Sequence, residues 1–242
     1  MIEAACWGLA GASTLLLGAV LAVGVPWTRR AIGLVAGFGA GALISAVTLD
    51  LTVSAFEAAG VAVVVAGLGA GAIAFSAGNR ALHRGGAIRH RKRSSGQQAG
   101  ADPLGIVLGT ILDGIPESVV IGISLLAGEG VGLPFLAAVA ISNLPEALSA
   151  TTGLRRTGWT TRRVLGLWCI VAVLSAVAAG AGYGLLVAAP PELTATIQAF
   201  AAGAVLTMLA DTMIPEAFEE AGEAVGLVTV LGYAIGALLT LV

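Results

Sequence analysis

Long apolar stretches, separated by short polar or proline-containing connections, are the feature that most limits how this chain can fold. Eight of them come close to or exceed the roughly 20 residues that a helix needs to cross a bilayer. Because lipid offers the backbone no hydrogen bonds, such stretches predict an all-α, polytopic membrane protein with one transmembrane domain over 1–242. Only 11% of the residues are charged, against about 25% in soluble domains. The predicted helices cover about 4–25, 31–55, 61–77, 103–126, 133–154, 164–189, 193–217 and 224–242.

The basic residues predict the orientation of these helices. All 12 Lys and Arg residues fall in the connections after the first, third and fifth stretches. Eight helices place those three connections on one face, and the positive-inside rule makes that face cytoplasmic. The longest of the three is a basic loop at 79–102, which we expect to be solvated. Both termini are then expected outside the cytoplasm, in a multi-pass protein of the cell (inner or plasma) membrane.

An internal repeat relates the two ends of the chain. A shift of 162 positions places Phe38-Gly-Ala-Gly-Ala42 over Phe200-Ala-Ala-Gly-Ala204, and Ala55-Phe-Glu-Ala-Ala-Gly60 over Ala217-Phe-Glu-Glu-Ala-Gly222. The second predicted helix runs outward and the seventh inward, so the copies have opposite topology. Inverted repeats are typical of transporters, which bind substrate near the membrane midplane. The first three helices would then match the last three, leaving the fourth and fifth as a central pair.

This central pair carries carboxylates at bilayer depth. Asp113 and Glu117 are four residues apart on one face of the fourth helix, and Ser142 and Glu146 share that spacing on the fifth. Each Glu directly follows a proline, which lacks an N–H and so frees a carbonyl of the preceding turn. A charge in the bilayer interior costs a few kcal/mol or more, so it is seldom present without a role. We interpret these carboxylates as a cation site; the alternative is a polar cluster that only joins the helices.

Three short segments resemble the motifs of the ZIP (Zrt/Irt-like) family of divalent-metal transporters. They are Asp113-Gly-Ile-Pro-Glu117, Ser142-Asn-Leu-Pro-Glu146 and Asp211-Thr-Met-Ile-Pro-Glu216. The resemblance implies eight helices in a 3+2+3 inverted-repeat bundle, with both ends outside the cytoplasm. It also implies a mid-membrane metal site between the fourth and fifth helices. The family's first metal site would fall on Asp113, Glu117, Ser142 and Glu146, with Asn143 as a further contributor.

The departures from the family pattern limit which ions could be transported. Asp113 stands where the family has His, and the family's second site would fall on Gly114, Asn143 and Ser175, which form a poor ligand set. One transport site is therefore expected. Its oxygen ligands suit Mn²⁺, Fe²⁺ or Mg²⁺, but Zn²⁺ also accepts Asp and Glu. The resemblance favours zinc as the substrate, with manganese, iron or cadmium as alternatives.

Other acidic residues outline a route through the membrane. Asp50 lies near the outer end of the second predicted helix, and Asp211 and Glu216 lie toward the inner end of the seventh. The predicted route enters past Asp50 and leaves past Asp211. The alternative for these residues is a charge at a helix end that reaches water. The cluster from Glu219 to Glu223 is interpreted as a solvated helix end.

The predicted function is transport of a divalent metal cation. Two alternatives stay open, a proton-coupled carrier of another solute that uses Asp113 and Glu117 as a relay, and a degenerate ZIP-like protein that does not transport. An enzyme is not expected, since the His-Glu-x-x-His motif of metalloproteases is absent from the sequence. The expected partners are the metal ion and the lipid bilayer, with a homodimer left open and no nucleic acid.

Overall fold

The structure is a computed structural model that describes residues 1–84, 103–127 and 130–241. Within these ranges the regular secondary structure is helical and contains no strand. Two π-helical segments, Ala46–Thr52 and Leu209–Met213, interrupt longer helices, and a 3-10 turn, Leu125–Ala127, follows α4. The α-helices are α1 (Ile2–Gly24), α2 (Arg29–Ser45), α3 (Val53–Arg84), α4 (Pro103–Ser124), α5 (Leu133–Arg156), α6 (Thr161–Leu186), α7 (Pro191–Met208), α8 (Ile214–Ala221) and α9 (Ala224–Leu241).

Six helical stretches in the described ranges are long and apolar enough to cross a membrane. The sequence predicts an all-helical protein with several such helices, and the described residues confirm this prediction. The stretches are Ile2–Gly24, Arg29–Ala81, Val107–Ser124, Leu133–Arg156, Thr161–Leu186 and Pro191–Ala221. The number differs from the predicted eight for two reasons. Arg29–Ala81 is one 53-residue stretch that includes the second and third predicted helices, and the last apolar helix, Ala224–Thr240, is shorter than the others.

Two glycines interrupt the helical backbone at matching places. Gly60, inside α3, has φ 77° and ψ 173°, and Gly222, directly after α8, has φ 70° and ψ −152°. Glycine adopts positive φ without the steric strain that a Cβ would cause. The two residues are 162 positions apart, the same shift that aligns the predicted repeat. The 53-residue stretch is therefore bent at Gly60 into two helical segments.

The π-helical segments also lie at matching places, ahead of Gly60 and Gly222. In the first, the Thr52 hydroxyl donates to the carbonyl of Val47 at 2.8 Å. In the second, the Thr212 hydroxyl donates to the carbonyl of Met208 at 2.7 Å. π-helical turns are rare in proteins overall, but those that do occur are often found at functional sites. The extra residue in the turn changes the direction of nearby side chains.

The observed helix bounds extend beyond several predicted ones. Helix α3 continues to Arg84, so positions 79–84, predicted to begin the basic loop, are helical. The reason is local composition, since Arg80, Ala81 and Leu82 are strong helix formers that continue the helix past the apolar run. The rest of that predicted loop, 85–102, lies outside the described residues.

The helices form two packing groups. Helices α1, α4, α5 and α6 contact chiefly one another, while α2 packs against α9 and α3 against α7 in the second group. The groups meet mainly where α2 faces α5 and α4 faces α7. The main apolar core lies at this junction and includes Leu43, Ile121, Phe135 and Val205.

Glycines allow the closest contacts within the second group. At four of them an added Cβ would collide with a backbone carbonyl oxygen of the facing helix. These glycine–carbonyl pairs are Gly41 with Thr229, Gly232 with Phe38, Gly203 with Leu68, and Gly71 with Phe200. Small residues let helix backbones approach in this way in membranes. The α2–α9 and α3–α7 pairs therefore share the same kind of contact, in which a glycine lies against a backbone carbonyl of the facing helix.

Candidate functional site

A cavity of about 70 Å³ lies where α4 and α5 face α2, α7 and α8. This volume is several times the roughly 10–15 Å³ that one water occupies by the same measure. Five carboxylates, three hydroxyls and two thioethers contribute to its wall. These side chains are Asp113, Glu117, Glu146, Glu216, Glu220, Ser142, Ser149, Thr212, Met208 and Met213.

The α4 wall carries the most buried acids of the cavity. The Asp113 and Glu117 side chains are 9% and 4% exposed. They face the same way because they are one helical turn apart. The two carboxylates are close enough for their negative charges to repel each other. Two like charges buried together are unfavourable and indicate a functional role or a bound cation.

The α5 wall presents Ser142, Glu146 and Ser149, whose spacing also puts them on one helix face. Ser142 is 3% exposed, and its hydroxyl donates to the carbonyl of Val139 at 3.0 Å. That bond uses the hydroxyl proton and leaves the oxygen lone pairs able to accept or to bind a cation. Glu146 is half-buried. This wall therefore adds a carboxylate and two hydroxyl oxygens opposite α4.

The third wall comes from α7, the second π-helical segment and α8. Met208, Thr212, Glu216 and Glu220 recur every four residues along it and all line the cavity. The sequence analysis assigned Glu220 to a solvated helix end, and the structure places it half-buried on the cavity wall instead. Its four-residue spacing from Glu216 is the signal that could have identified it.

Asn143 lies on another side of α5 from the cavity. Its side chain is 5% exposed, and its Nδ2 donates to the carbonyl oxygen of Gly11 at 3.2 Å. The amide thus joins α5 to α1 and does not line the cavity. Side-chain amides commonly join transmembrane helices in this way.

Asp50 and Asp211 lie away from the cavity. Asp50 is on the first π-helical segment, and its Oδ2 is 3.5 Å from the position that a Cβ on Gly132 would take, just before α5. Asp211 is exposed on the second π-helical segment, and the adjacent Thr212 lines the cavity in its place. Of the three predicted route residues, the structure brings only Glu216 to the cavity.

The cavity extends from the buried acids toward one end of the bundle. Ile32, one turn into α2, and Glu220, near the end of α8, both line it. Helix α2 begins there with Arg29 and Arg30. Asp50 lies toward the other end, where α5 begins.

The acids of the cavity share one space without forming a finished ligand set. Among the residues that the structure describes, no three His, Cys, Asp or Glu side chains are grouped so that they could hold a metal ion. Side-chain rotation would be needed to bring Asp113, Glu117 and Glu146 onto a common ion. The cavity can accept cations chemically, but it does not present a rigid coordination cage.

Comparison of the chain with models of known protein families found no match, and comparison with curated proteins found none either. Function is therefore inferred from the cavity and from the residues that line it.

Replacing Asn143 with alanine is expected to lower stability slightly and to leave any transport activity intact. The loss should be about 0.6 kcal/mol, the average for an interhelical side-chain hydrogen bond in a membrane protein. In the variant, the Gly11 carbonyl oxygen still accepts a hydrogen bond from the Thr14 hydroxyl at 2.8 Å, so it is not left without a donor. Unfolding in mixed detergent micelles measures the stability. A large change in apparent affinity for an ion, with normal stability, would instead place Asn143 in the site.

Proposed function

We propose that this chain transports divalent metal cations and that Asp113, Glu117 and Glu146 hold the ion. The observation that carries the proposal is the Glu117 carboxylate, which is 4% exposed and lines the cavity. The Asp113 carboxylate beside it adds a second, like charge. A divalent cation compensates a buried negative charge at bilayer depth, where an uncompensated one is strongly unfavourable.

The ligand set supported best is carboxylate and hydroxyl oxygen. Asp113 and Glu117 from α4 would face Glu146 and the hydroxyl of Ser142 from α5. Asn143 is left out of this set, because its amide holds α5 to α1. Zinc is the favoured substrate, since Zn²⁺ accepts Asp and Glu and the three proline-containing segments resemble those of ZIP transporters.

We propose further that the helices form eight spans in a 3+2+3 inverted repeat. Three observations support the repeat. They are the positive-φ glycines Gly60 and Gly222, the π-helical segments ahead of them, and the similar glycine–carbonyl contacts within the α2–α9 and α3–α7 pairs. In this arrangement Arg29–Ala81 contributes two spans that meet at Gly60, and α9 is the eighth. The positive-inside rule then puts both termini outside the cytoplasm of the cell membrane.

With this orientation the cavity extends toward the cytoplasm. Glu216 and Glu220 would carry the ion from the buried acids to that face, and Asp50 would lie on the entrance side. Asp211 is replaced in the route by Thr212, which lines the cavity. The two packing groups suit alternating access, because α4 and α5 belong to one group and the facing wall to the other.

One alternative has support in the same residues. Asp113 and Glu117 are adjacent, buried carboxylates, and such pairs also serve as proton relays in carriers of other solutes. The relay needs no metal, so it predicts proton movement in the absence of divalent ions.

Proteoliposomes test the proposal directly. Purified protein is reconstituted with a metal-sensitive dye inside the vesicles, and Zn²⁺, Cd²⁺, Mn²⁺ or Fe²⁺ is added outside. Saturable uptake above that of protein-free vesicles is the expected result, with zinc among the ions moved. Proton flux without metal, read with a pH-sensitive dye, would support the relay instead. Protein that is folded and moves neither metal nor protons would overturn the proposal and favour a non-transporting relative.

A further inference from the structure

We propose that the thioethers of Met208 and Met213 determine the ion specificity of this cavity by binding softer divalent ions and not harder ones. The inference rests on the proposed function, because it concerns the ion that the cavity carries. It changes the ligand chemistry expected from the sequence, which predicts oxygen ligands alone.

Both methionines lie on the third wall of the cavity, the one formed by α7, the second π-helical segment and α8. Met208, the last residue of α7, is 5% exposed, and Met213 ends the π-helical segment and is half-buried. The Cε of Met213 is 3.3 Å from the position that a Cβ on Gly39 would take, so this side chain extends toward α2. Thr212 lies between them in the sequence and lines the same wall.

The use of methionine in this chain is selective. The sequence contains three methionines in all, of which one is Met1. Both of the others line the acidic cavity, although 57% of the chain is hydrophobic and most apolar positions are filled by other residues. Met208 belongs to the main core and Met213 packs against it, so packing is the competing explanation. Leucine would fill a core position with a similar volume, but it offers no sulfur.

The two thioethers are the softest donors in the cavity wall. No histidine or cysteine lines the cavity in the described part of the chain, and Cys6 and Cys169 are exposed elsewhere. Carboxylate and hydroxyl oxygens bind hard and borderline ions, whereas thioethers favour soft ones. A thioether is also neutral, so it adds affinity without adding negative charge to five carboxylates. The expected result is a preference for Cd²⁺ and Zn²⁺ over Mn²⁺ and Mg²⁺.

The variants Met208→Leu and Met213→Leu, singly and together, separate ligand from core roles because they keep the volume and remove only sulfur. Cd²⁺ and Mn²⁺ uptake is measured in the same proteoliposomes. We expect the ratio of Cd²⁺ to Mn²⁺ transport efficiency, as kcat/KM, to fall about 10-fold in the double variant, the lower range for removing a group that supports a metal. Mn²⁺ uptake should fall much less than Cd²⁺ uptake. A packing role alone would lower uptake of both ions together.

X-ray absorption at the cadmium edge gives a second readout that does not depend on the variants folding. Wild-type protein loaded with Cd²⁺ should show a sulfur scatterer beside the oxygen shell. An all-oxygen shell in the wild type, or an unchanged Cd²⁺/Mn²⁺ ratio in folded variants, would overturn this inference and leave the proposed transport intact. Wild-type protein that takes up no divalent ion would instead overturn the proposed function and this inference with it.

Discussion

Replacement of Glu117 with glutamine is expected to reduce divalent-metal uptake by about 100-fold or more. Loss of a group that only supports a metal already costs about 10- to 100-fold in affinity, and Glu117 is proposed as a direct ligand. Glutamine keeps the size of the side chain and removes its charge, so the effect reports ligand chemistry and not packing. Initial rates of Zn²⁺ uptake into proteoliposomes, at matched protein content, measure it.

The matched control for this experiment is Asp211→Asn. It makes the same kind of change, a carboxylate to its amide, at an exposed position that does not line the cavity. Its uptake should stay within about twofold of wild type, since surface substitutions have small effects. Glu117→Gln protein that is folded and transports at the wild-type rate would remove Glu117 from the ligand set. A large loss in Asp211→Asn would restore Asp211 to the route.

Replacement of Gly71 with alanine is expected to destabilise the protein by about 1–3 kcal/mol, the usual range for overpacking. A Cβ at this position would collide with the carbonyl oxygen of Phe200. This atom belongs to the backbone of α7, so no side-chain rotation relieves the clash and the α3–α7 pair must separate. The midpoint of unfolding in mixed detergent micelles gives the free-energy change.

Gly69 supplies the control, two residues away on the same helix. It is exposed, and an added Cβ would meet nothing within 4 Å. Gly69→Ala should therefore be neutral or stabilising by up to about 1 kcal/mol, because alanine is the better helix former. Gly203→Ala, on the facing helix, should resemble Gly71→Ala. Equal stability of the Gly69 and Gly71 variants would show that α3 and α7 are not packed as closely as described.

Much of the fold class could be predicted because membrane solvation acts on each segment separately. An apolar stretch that is long enough for the bilayer must satisfy its own backbone hydrogen bonds, so its helical state follows from local sequence. The predicted bounds 31–55 and 61–77 place Gly60 in the connection between two helices. Its backbone angles, φ 77° and ψ 173°, show that the connection is a bend at one glycine within a helical stretch and not a loop.

Part of the candidate site could also be predicted from the sequence, and part could not. Helical spacing placed Asp113 and Glu117 on one face and Ser142 and Glu146 on another, and the structure shows all four lining one cavity. Spacing could not show that Asn143, adjacent to Ser142, points away toward Gly11 of α1. The four-residue spacing from Glu216 distinguishes Glu220 from its exposed neighbour Glu219, but the structure is needed to show that Glu220 lines the cavity and Glu219 does not.

Local sequence is enough to predict a helical protein with several helices that are apolar and long enough to cross a membrane. It also predicts which polar residues share a helix face. Both follow from interactions between residues close in the chain, namely backbone hydrogen bonding in lipid and the 3.6-residue repeat. The folded arrangement of the helices is needed to show that Met208, Met213 and Glu220 line the same cavity as Asp113 and Glu117. The reason is physical: a helix fixes its own faces, but the close glycine contacts between distant helices decide which face meets which.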